Sequence, residues 1–339
     1  MTGTGWFATV LLTLAAEPAA EVHRFEAIQR QMGVDFRIVL YAESDKAAEN
    51  AFEAAYARIG ELNSVMSDYD PDSELSRLSR ASPTTQPVIV SNDLWHVLGQ
   101  SQSLSRNTDG AFDVTVGPLS RLWRRARRQR QLPSKQRLDE ARAAVGYRHI
   151  KLDGGKNRIS LTRPNMRLDL GGIAKGYAAD EAFEVLRSMG HPNALVDGSG
   201  DLAIGDAPPD KAGWLIGVAP LEADAPPSRF VRLTNCAIAT SGDVWQFVEI
   251  DGKRYSHILD PKTGLGLTRR SSVTVIAPHC TSADSLASAI SVLGPKRGID
   301  LINRLCKTEA LFVYMSGDKQ MVRPSNGFSK LTVDRPAPP

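Results

Sequence analysis

Phe36 to Tyr41 (FRIVLY) alternates apolar and polar positions at the two-residue period of a strand. Asp45 to Val65 then places Ala47, Ala51, Ala54, Ala55, Ile59 and Leu62 at helical spacing behind the capping candidate Ser44. A Pro/Thr turn over Ser82 to Pro87 leads into a short strand, Val88 to Val90, and a helix opened by Ser91 or Asn92 that runs to about Asn107. Leu132 to Val145 reads as a further helix. Ile150 to Leu152 and Arg158 to Leu161 flank Asp153-Gly154-Gly155, a hairpin signal.

The second half repeats the alternation. A Gly-rich turn over Asp169 to Gly172 feeds a helix from Ala174 to Met189, with Gly190 placed to end it. Short strands follow at Ala194 to Val196, Leu202 to Ile204, Trp214 to Val218, Phe230 to Leu233 and Ala237 to Ala239. Trp245 to Ile250 and Tyr255 to Ile258 bracket Asp251-Gly252, a dipeptide suited to a tight hairpin turn. Ser271 to Ala277 and Leu311 to Met315 read as strands, Ala283 to Leu293 and Gly298 to Leu305 as helices. Hairpins outnumber crossover units, so the pattern predicts one continuous α+β domain over residues 21–333, with antiparallel sheets packed by helices rather than a doubly wound parallel sheet. The tail, Asp334 to Pro339, is expected to be disordered.

Trp6 to Ala16 (WFATVLLTLAA) is an uncharged apolar run followed by Glu17-Pro18-Ala19-Ala20. It is shorter than the ~20 residues of a membrane span. Residues 1–20 read as a secretory leader, although no Lys or Arg precedes the run. They imply export to a periplasmic space or to the periplasmic face of an inner membrane; without a working leader the protein is cytoplasmic.

Charge adds little to this picture. The 41 Lys and Arg against 38 Asp and Glu leave a formal net charge of +3, which is not that of a dedicated nucleic-acid binder. Arg121, Arg124, Arg125, Arg127, Arg128 and Arg130 crowd around Trp123, and the run reads as a solvated helix face or loop ahead of a patch for an anionic partner or lipid headgroups. Cys236, Cys280 and Cys306 stand far apart, which excludes a dense disulfide framework and argues against a zinc site.

Four polar groupings carry candidate chemistry. His257 sits at a strand end with Asp260 three residues on, before a Pro/Gly turn; such a placement presents an imidazole and a carboxylate at a cleft rim. In DLGGIAKG, residues 169–176, a Gly pair before a helix frees amides to meet an anion, and Lys175 adds attraction for phosphate. Asp284 and Ser288 lie four apart on one helix face and offer hard oxygens suited to Mg²⁺. Asp113 lies inside the apolar, strand-like run GAFDVTVGPL and requires a polar ligand or a backbone cap. Each feature alone is more often structural than functional.

Taken in order, MSDY at 66–69 with PDSELS at 71–76, GAFDVTVGPL at 110–119 with Trp123, DLGGIAKGYAAD at 169–180, DGSGD at 197–201, TSGD at 240–243, YSHILDPKTG at 255–264 and ADSLASAISVLG at 283–294 resemble the successive signatures of the ApbE family. The resemblance spans roughly Gln31 to Gly294. It implies a T-fold-related α+β domain and an FAD:protein FMN transferase, which uses Mg²⁺ and FAD to place FMN on a Thr or Ser hydroxyl of an acceptor protein with release of AMP. Met32, Tyr69, Ala111, Phe112, Asp113, Asp169, Lys175 and Ile258 would then line the FAD site. Asp284, Ser288 and the carbonyl of Gly172 would hold Mg²⁺. His257 becomes the candidate general base, with Asp260 orienting it. Val34 and Ser288 stand where the family usually has Thr, and Ser199 where Gly is common. Rival readings are an FAD pyrophosphatase using the same site, a flavin-binding protein without turnover, and a flavin oxidoreductase; for the last, no GxGxxG nicotinamide fingerprint is present.

Overall fold

Eight of the strands form one antiparallel sheet. The computed structural model describes residues 21–222, 225–243 and 246–334. Its main sheet runs in the order β1 (His23–Gln31), β2 (Val34–Ala42), β6 (Ala194–Gly198), β7 (Asp201–Ile204), β10 (Cys236–Gly242), β13 (Ser271–Ala277), β14 (Glu309–Ser316), β15 (Lys319–Pro324). Every residue of β13 is buried, because both faces are covered. Val273, Val275 and Ala277 face a helical layer, and Ile276 faces the opposite side.

The helical layer consists of α1 (Asp45–Met66), α6 (Ala174–Ser188) and α7 (Cys280–Leu293), with α7 over β10 and β13 and α6 over β6 and β7. On the other face Trp214, Val231 and Phe328 cover Val39, Ile204, Ile276 and Leu311, carried partly by β8 (Trp214–Gly217), β9 (Phe230–Leu233) and β16 (Thr332–Val333). A third small core joins Trp123 and Ala126 of α4 (Gly117–Gln129) to Val248, Ile250 and Tyr255 of the hairpin β11 (Phe247–Ile250) and β12 (Lys253–Ser256). A lone two-stranded hairpin is marginal in water, so this packing is what holds it in place. Its turn, Asp251-Gly252, has φ of 52° and 70°, the left-handed pair that the dipeptide favours.

Ser44 caps α1 through Ala47 N, Ser91 caps α3 (Asn92–Asn107) through Leu94 N, and Ser134 caps α5 (Lys135–Ala143) through Arg137 N. The hairpin expected around residues 154–155 is formed by β4 (Ile150–Asp153) and β5 (Arg158–Leu161), with β3 (Val88–Ile89) beside β5. Five points differ from the sequence reading. β1 was not legible, because an edge strand with one wet face reads as polar (HRFEAIQRQ). A short helix, α2 (Glu74–Arg80), and the last hairpin strand β15 were missed as well. GAFDVTVGPL is not a strand: residues 110–116 form turns, and α4 begins at Gly117 with Pro118 in its first turn. The helix expected from residue 298 is α8 (Pro295–Ile302), again opened by a proline. The leader, Trp245 and residues 335–339 of the tail lie outside the described residues. Among the described residues no helix is long and apolar enough to cross a membrane.

Two glycines allow close backbone approaches, one of them within the helical layer. A Cβ on Gly176 would overlap the backbone of Cys280, so α6 and α7 touch main chain to main chain. Gly176→Ala is therefore expected to lower stability by about 1–3 kcal/mol, measured by urea denaturation. Gly117 meets the Arg167 backbone in the same way and fixes the start of α4.

Candidate active site

One end of the main sheet collects one group of the predicted residues. The turn Met32-Gly33 joins β1 to β2, Ser199-Gly200 joins β6 to β7, β10 ends at Gly242 and β13 begins at Ser271, all at the same edge by register. Met32 holds a φ of 49° in that turn and packs half-buried against the main core.

Behind this edge the N-terminus of α6 faces α7. Asp180, at the end of the DLGGIAKGYAAD stretch, accepts hydrogen bonds from Cys280 N at 2.7 Å, Thr281 N at 2.8 Å and Thr281 Oγ1 at 2.6 Å. It caps α7 from a neighbouring helix, because His279 at the cap position makes no side-chain bond of its own. That contact sets where Asp284 and Ser288 stand. Ser288 Oγ lies 3.2 Å from Ser241 Oγ, and a Cβ built on Gly172 would sit 3.1 Å from Ser288 Oγ and 3.4 Å from Phe112. Gly172, Phe112, Ser241 and Ser288 thus share one small polar pocket.

Asp284 is buried and accepts a hydrogen bond from Gly176 N at 3.2 Å. Burial, then the nearby Asp201 carboxylate, push its pKa up to about 7 against the pull of Lys175. Lys175 Nζ is bound to Asp201, itself buried. Burial works to lower the Lys175 pKa, but Asp201 and Asp284 outweigh it and raise the value well above the ordinary lysine range. Lys175 is thereby committed to Asp201 rather than held out toward a phosphate, a correction to the role expected of it. The buried Asp284 carboxyl thus lacks an ammonium partner of its own, and a cation beside it would favour its ionised form.

The residues present fit Mg²⁺ as a donor set. A carboxylate, a hydroxyl and a backbone carbonyl are hard oxygens, and Gly172 has no side chain to obstruct the space beside Ser288. Among the described residues no cluster of three or more His, Cys, Asp or Glu forms a metal cage. Such a site keeps room for phosphate and water oxygens, as Mg²⁺ sites commonly do.

A second grouping lies alongside. Asp169 Oδ1 accepts from Gly171 N at 2.9 Å and holds the turn before α6. Its other oxygen lies 3.4 Å from Arg124, which also pairs with Asp68 at 2.6 Å and stacks on the Tyr69 ring, 4.0 Å from its centroid. Tyr69 is 77% exposed, so it is no core aromatic: one ring face carries Arg124 and the other is available. Burial and the neighbouring Asp169 raise the pKa of Asp68 despite Arg124.

His257 forms the third grouping. Its Nδ1 lies 3.1 Å from the carbonyl of Gln246, which can only accept, so Nδ1 carries the proton and Nε2 is the basic atom. Burial above all, with the charges of Arg127 and Lys175, holds its pKa below the usual imidazole value, while Gln246 and Asp243 oppose this. The preceding residue is pinned by Trp123 Nε1, which donates to Ser256 O at 3.1 Å. Ile258 N bonds Ser256 Oγ at 3.0 Å, and Ile258 O accepts from Leu267 N at 2.9 Å.

One expected role is corrected, and one open alternative is decided. Asp260 Oδ1 accepts from Lys262 N at 2.8 Å, closing the Pro261 turn, and among the described residues no hydrogen bond joins it to His257. Asp113 is satisfied inside the protein by Thr115 N at 2.8 Å, Thr115 Oγ1 at 2.6 Å and Tyr147 N at 2.8 Å. Of the two options weighed for Asp113, the structure shows the backbone cap; the buried Ala111 and Phe112 are carried on that loop. Conversely, Asp201 and Ser241 enter the site without having been assigned. Both lay within recognised motifs, DGSGD and TSGD. Arg124 gave no signal beyond its basic neighbours.

The fold that carries these groupings is shared with solved flavin transferases. The fold matches that of the flavin transferase ApbE from Vibrio cholerae with a TM-score of 0.83 and 31% identity, covering 92% of this chain and 100% of that one. It matches the apo flavinyl transferase ApbE of Pseudomonas stutzeri with a TM-score of 0.79. Residues 32–312 match the sequence model of the ApbE family. A Vibrio cholerae protein named FAD:protein FMN transferase is 34% identical over 295 residues, 86% of each chain. The chain belongs to the ApbE family.

Proposed function

We propose that this chain is an FAD:protein FMN transferase that binds FAD with Mg²⁺ and moves FMN onto a Thr or Ser hydroxyl of an acceptor protein. The observation that carries this reading is the convergence of Asp284, Ser288, Gly172 and the amide turn before α6 at one sheet edge. Bound Mg²⁺ would neutralise charge on the FAD pyrophosphate, held by Asp284, Ser288 and Gly172. The amides of Gly172 and Lys175, the two in this turn without a hydrogen-bond partner among the described residues, add donors for the same oxygens. The acceptor hydroxyl oxygen attacks the FMN-side phosphorus, a new P–O bond forms, and the bond to the bridging oxygen breaks so that AMP departs with it. His257 Nε2 takes the hydroxyl proton. Incubation with FAD, Mg²⁺ and an acceptor carrying a threonine site should give a protein band with in-gel flavin fluorescence and AMP in solution. AMP and free FMN without a labelled acceptor would make the chain an FAD pyrophosphatase instead.

FAD should bind much more tightly than FMN by calorimetry, because the turn at residues 171–175 is read as gripping the pyrophosphate; equal affinities would remove that role. Tyr69→Ala should weaken FAD binding roughly tenfold or more, as expected for loss of an aromatic stacking face. Since Tyr69 is exposed, its melting temperature should be unchanged. On the apolar run at residues 6–16 we also propose export, tested by fractionation of cells producing the full chain.

A further inference from the structure

The three groupings leave part of α4 unused. Arg124 is committed to Asp68, Asp169 and Tyr69, but Arg127, Arg128 and Arg130 form no ion pair among the described residues. These three line a cleft of about 680 Å³ between the end of α4 and the β11–β12 hairpin. Phe247 and Val248 form the facing wall, and Tyr69 with Arg124 closes the end toward the α6 turn. Phe247 is itself covered by the Arg254 guanidinium, 3.3 Å from its ring centroid. Among the described residues Glu249 is the one carboxylate lining it, against four arginines, so the cleft is positive. The field of Arg127 also reaches His257, whose pKa it helps to lower after burial. Phe247 on the cleft wall pairs with Ser256 in the hairpin register, and His257, next in the chain, bonds the Gln246 carbonyl just before Phe247, so the cleft lies beside the residue read as the base.

Two features favour a polypeptide over the dinucleotide. The oxygens and amides read as gripping the pyrophosphate lie at the sheet edge, outside this cleft. β11 pairs only with β12 among the described residues, so its outer edge offers main-chain hydrogen bonds to an extended segment. Unpaired guanidiniums beside such an edge fit a segment rich in carboxylates.

We propose that this cleft receives the acceptor polypeptide, with Arg127, Arg128 and Arg130 binding acidic residues that flank the hydroxyl to be modified. The inference rests on the transferase reading above.

The test is equilibrium binding of a dye-labelled peptide with a central threonine flanked by aspartates and glutamates, against its Asn/Gln counterpart, to the full chain with FAD and Mg²⁺. The acidic peptide should bind roughly tenfold more tightly, with a preference that shrinks as salt is raised. Arg128→Glu/Arg130→Glu should abolish that preference, and Arg128→Gln/Arg130→Gln should reduce it, with melting temperature and FAD affinity unchanged. Equal binding of the two peptides by the parent, or an undiminished preference in both double variants, overturns the proposal. A parallel loss of FAD affinity would assign the cleft to the dinucleotide. Loss of binding to phosphatidylglycerol vesicles with peptide affinity intact would assign it to a lipid surface; either result overturns the proposal. Selective binding of the acidic peptide without FMN transfer to any acceptor would sink the transferase reading while leaving acidic recognition by the cleft in place.

Discussion

Asp284→Ala is expected to abolish transfer, by at least ~10²-fold, because it removes the one carboxylate from a donor set whose other members are a hydroxyl and a carbonyl. The rest of the fold should tolerate the change. Asp284 accepts a hydrogen bond from Gly176 N, and its charge is opposed by burial and by Asp201. Lys175 keeps Asp201 as its partner in the variant. The metal-free melting temperature should therefore stay the same or rise, while the increase produced by Mg²⁺ with FAD in the parent disappears. Ser288→Thr keeps the hydroxyl and should retain that increase; Ser288→Val should lose most of it. Full activity of Asp284→Ala in trace metal would remove Mg²⁺ from the site as drawn here.

That prediction depends on a contact no sequence pattern announces. The four-residue spacing of Asp284 and Ser288 placed them on one helix face, and the helix formed where the periodicity put it. What aims that face is Asp180 capping α7 from α6, and the glycine contact at Gly176 that lets the two helices approach. Both residues sit in DLGGIAKGYAAD, yet their partners lie about a hundred residues away, beyond the reach of local spacing. A separation of 26 residues hid the partnership of Lys175 with Asp201 in the same way. A lysine after a Gly pair looks like a phosphate ligand until the fold brings a buried carboxylate to it.

Local turn chemistry was legible where one dipeptide determines it, as at Asp251-Gly252, and misleading where a side chain had two outlets. Asp260 stands three residues from His257, close enough in sequence to suggest a dyad. It is instead drawn into its own turn by Lys262 N. Asp113 looked costly inside an apolar run because Thr115 and Tyr147 were not yet seen to satisfy it. The arginine run around Trp123 was the least legible segment. Charge density suggested a wet helix face, and Arg121, Arg125 and Arg128 are exposed on α4; it did not reveal that Trp123 and Ala126 are buried beneath the β11–β12 hairpin or that Arg124 pairs with Asp68 and Asp169.

His257→Ala should bind FAD normally, melt at nearly the parent temperature and transfer FMN ~10² to 10⁴ times more slowly, the range lost when a positioned base is removed. Its position supports this. Nδ1 is occupied by Gln246 O, so Nε2 is left unprotonated and basic, and the Ser256 carbonyl just before it is fixed by Trp123. Because burial, with Arg127 and Lys175, depresses the imidazole pKa, the neutral base is already the dominant form at neutral pH. Transfer by the parent should accordingly rise with pH through a limb centred below ~6.5, and the variant should lose that limb. Stability carries the matching sign: the unfolded chain binds the His257 proton more readily, so this residue's contribution is present above ~6.5 and is lost as pH falls below it, levelling off once the lowered folded pKa is passed. Asp260→Asn should leave the limb in place with a rate change under about threefold, since an amide oxygen can still accept from Lys262 N and Asp260 makes no contact with the ring. If His257 merely braced the turn before Pro261, the alanine variant would lose melting temperature and FAD affinity together. Measuring both beside single-turnover transfer on one preparation separates these cases, and near-parent transfer by a folded His257→Ala protein would mean that another group takes the proton.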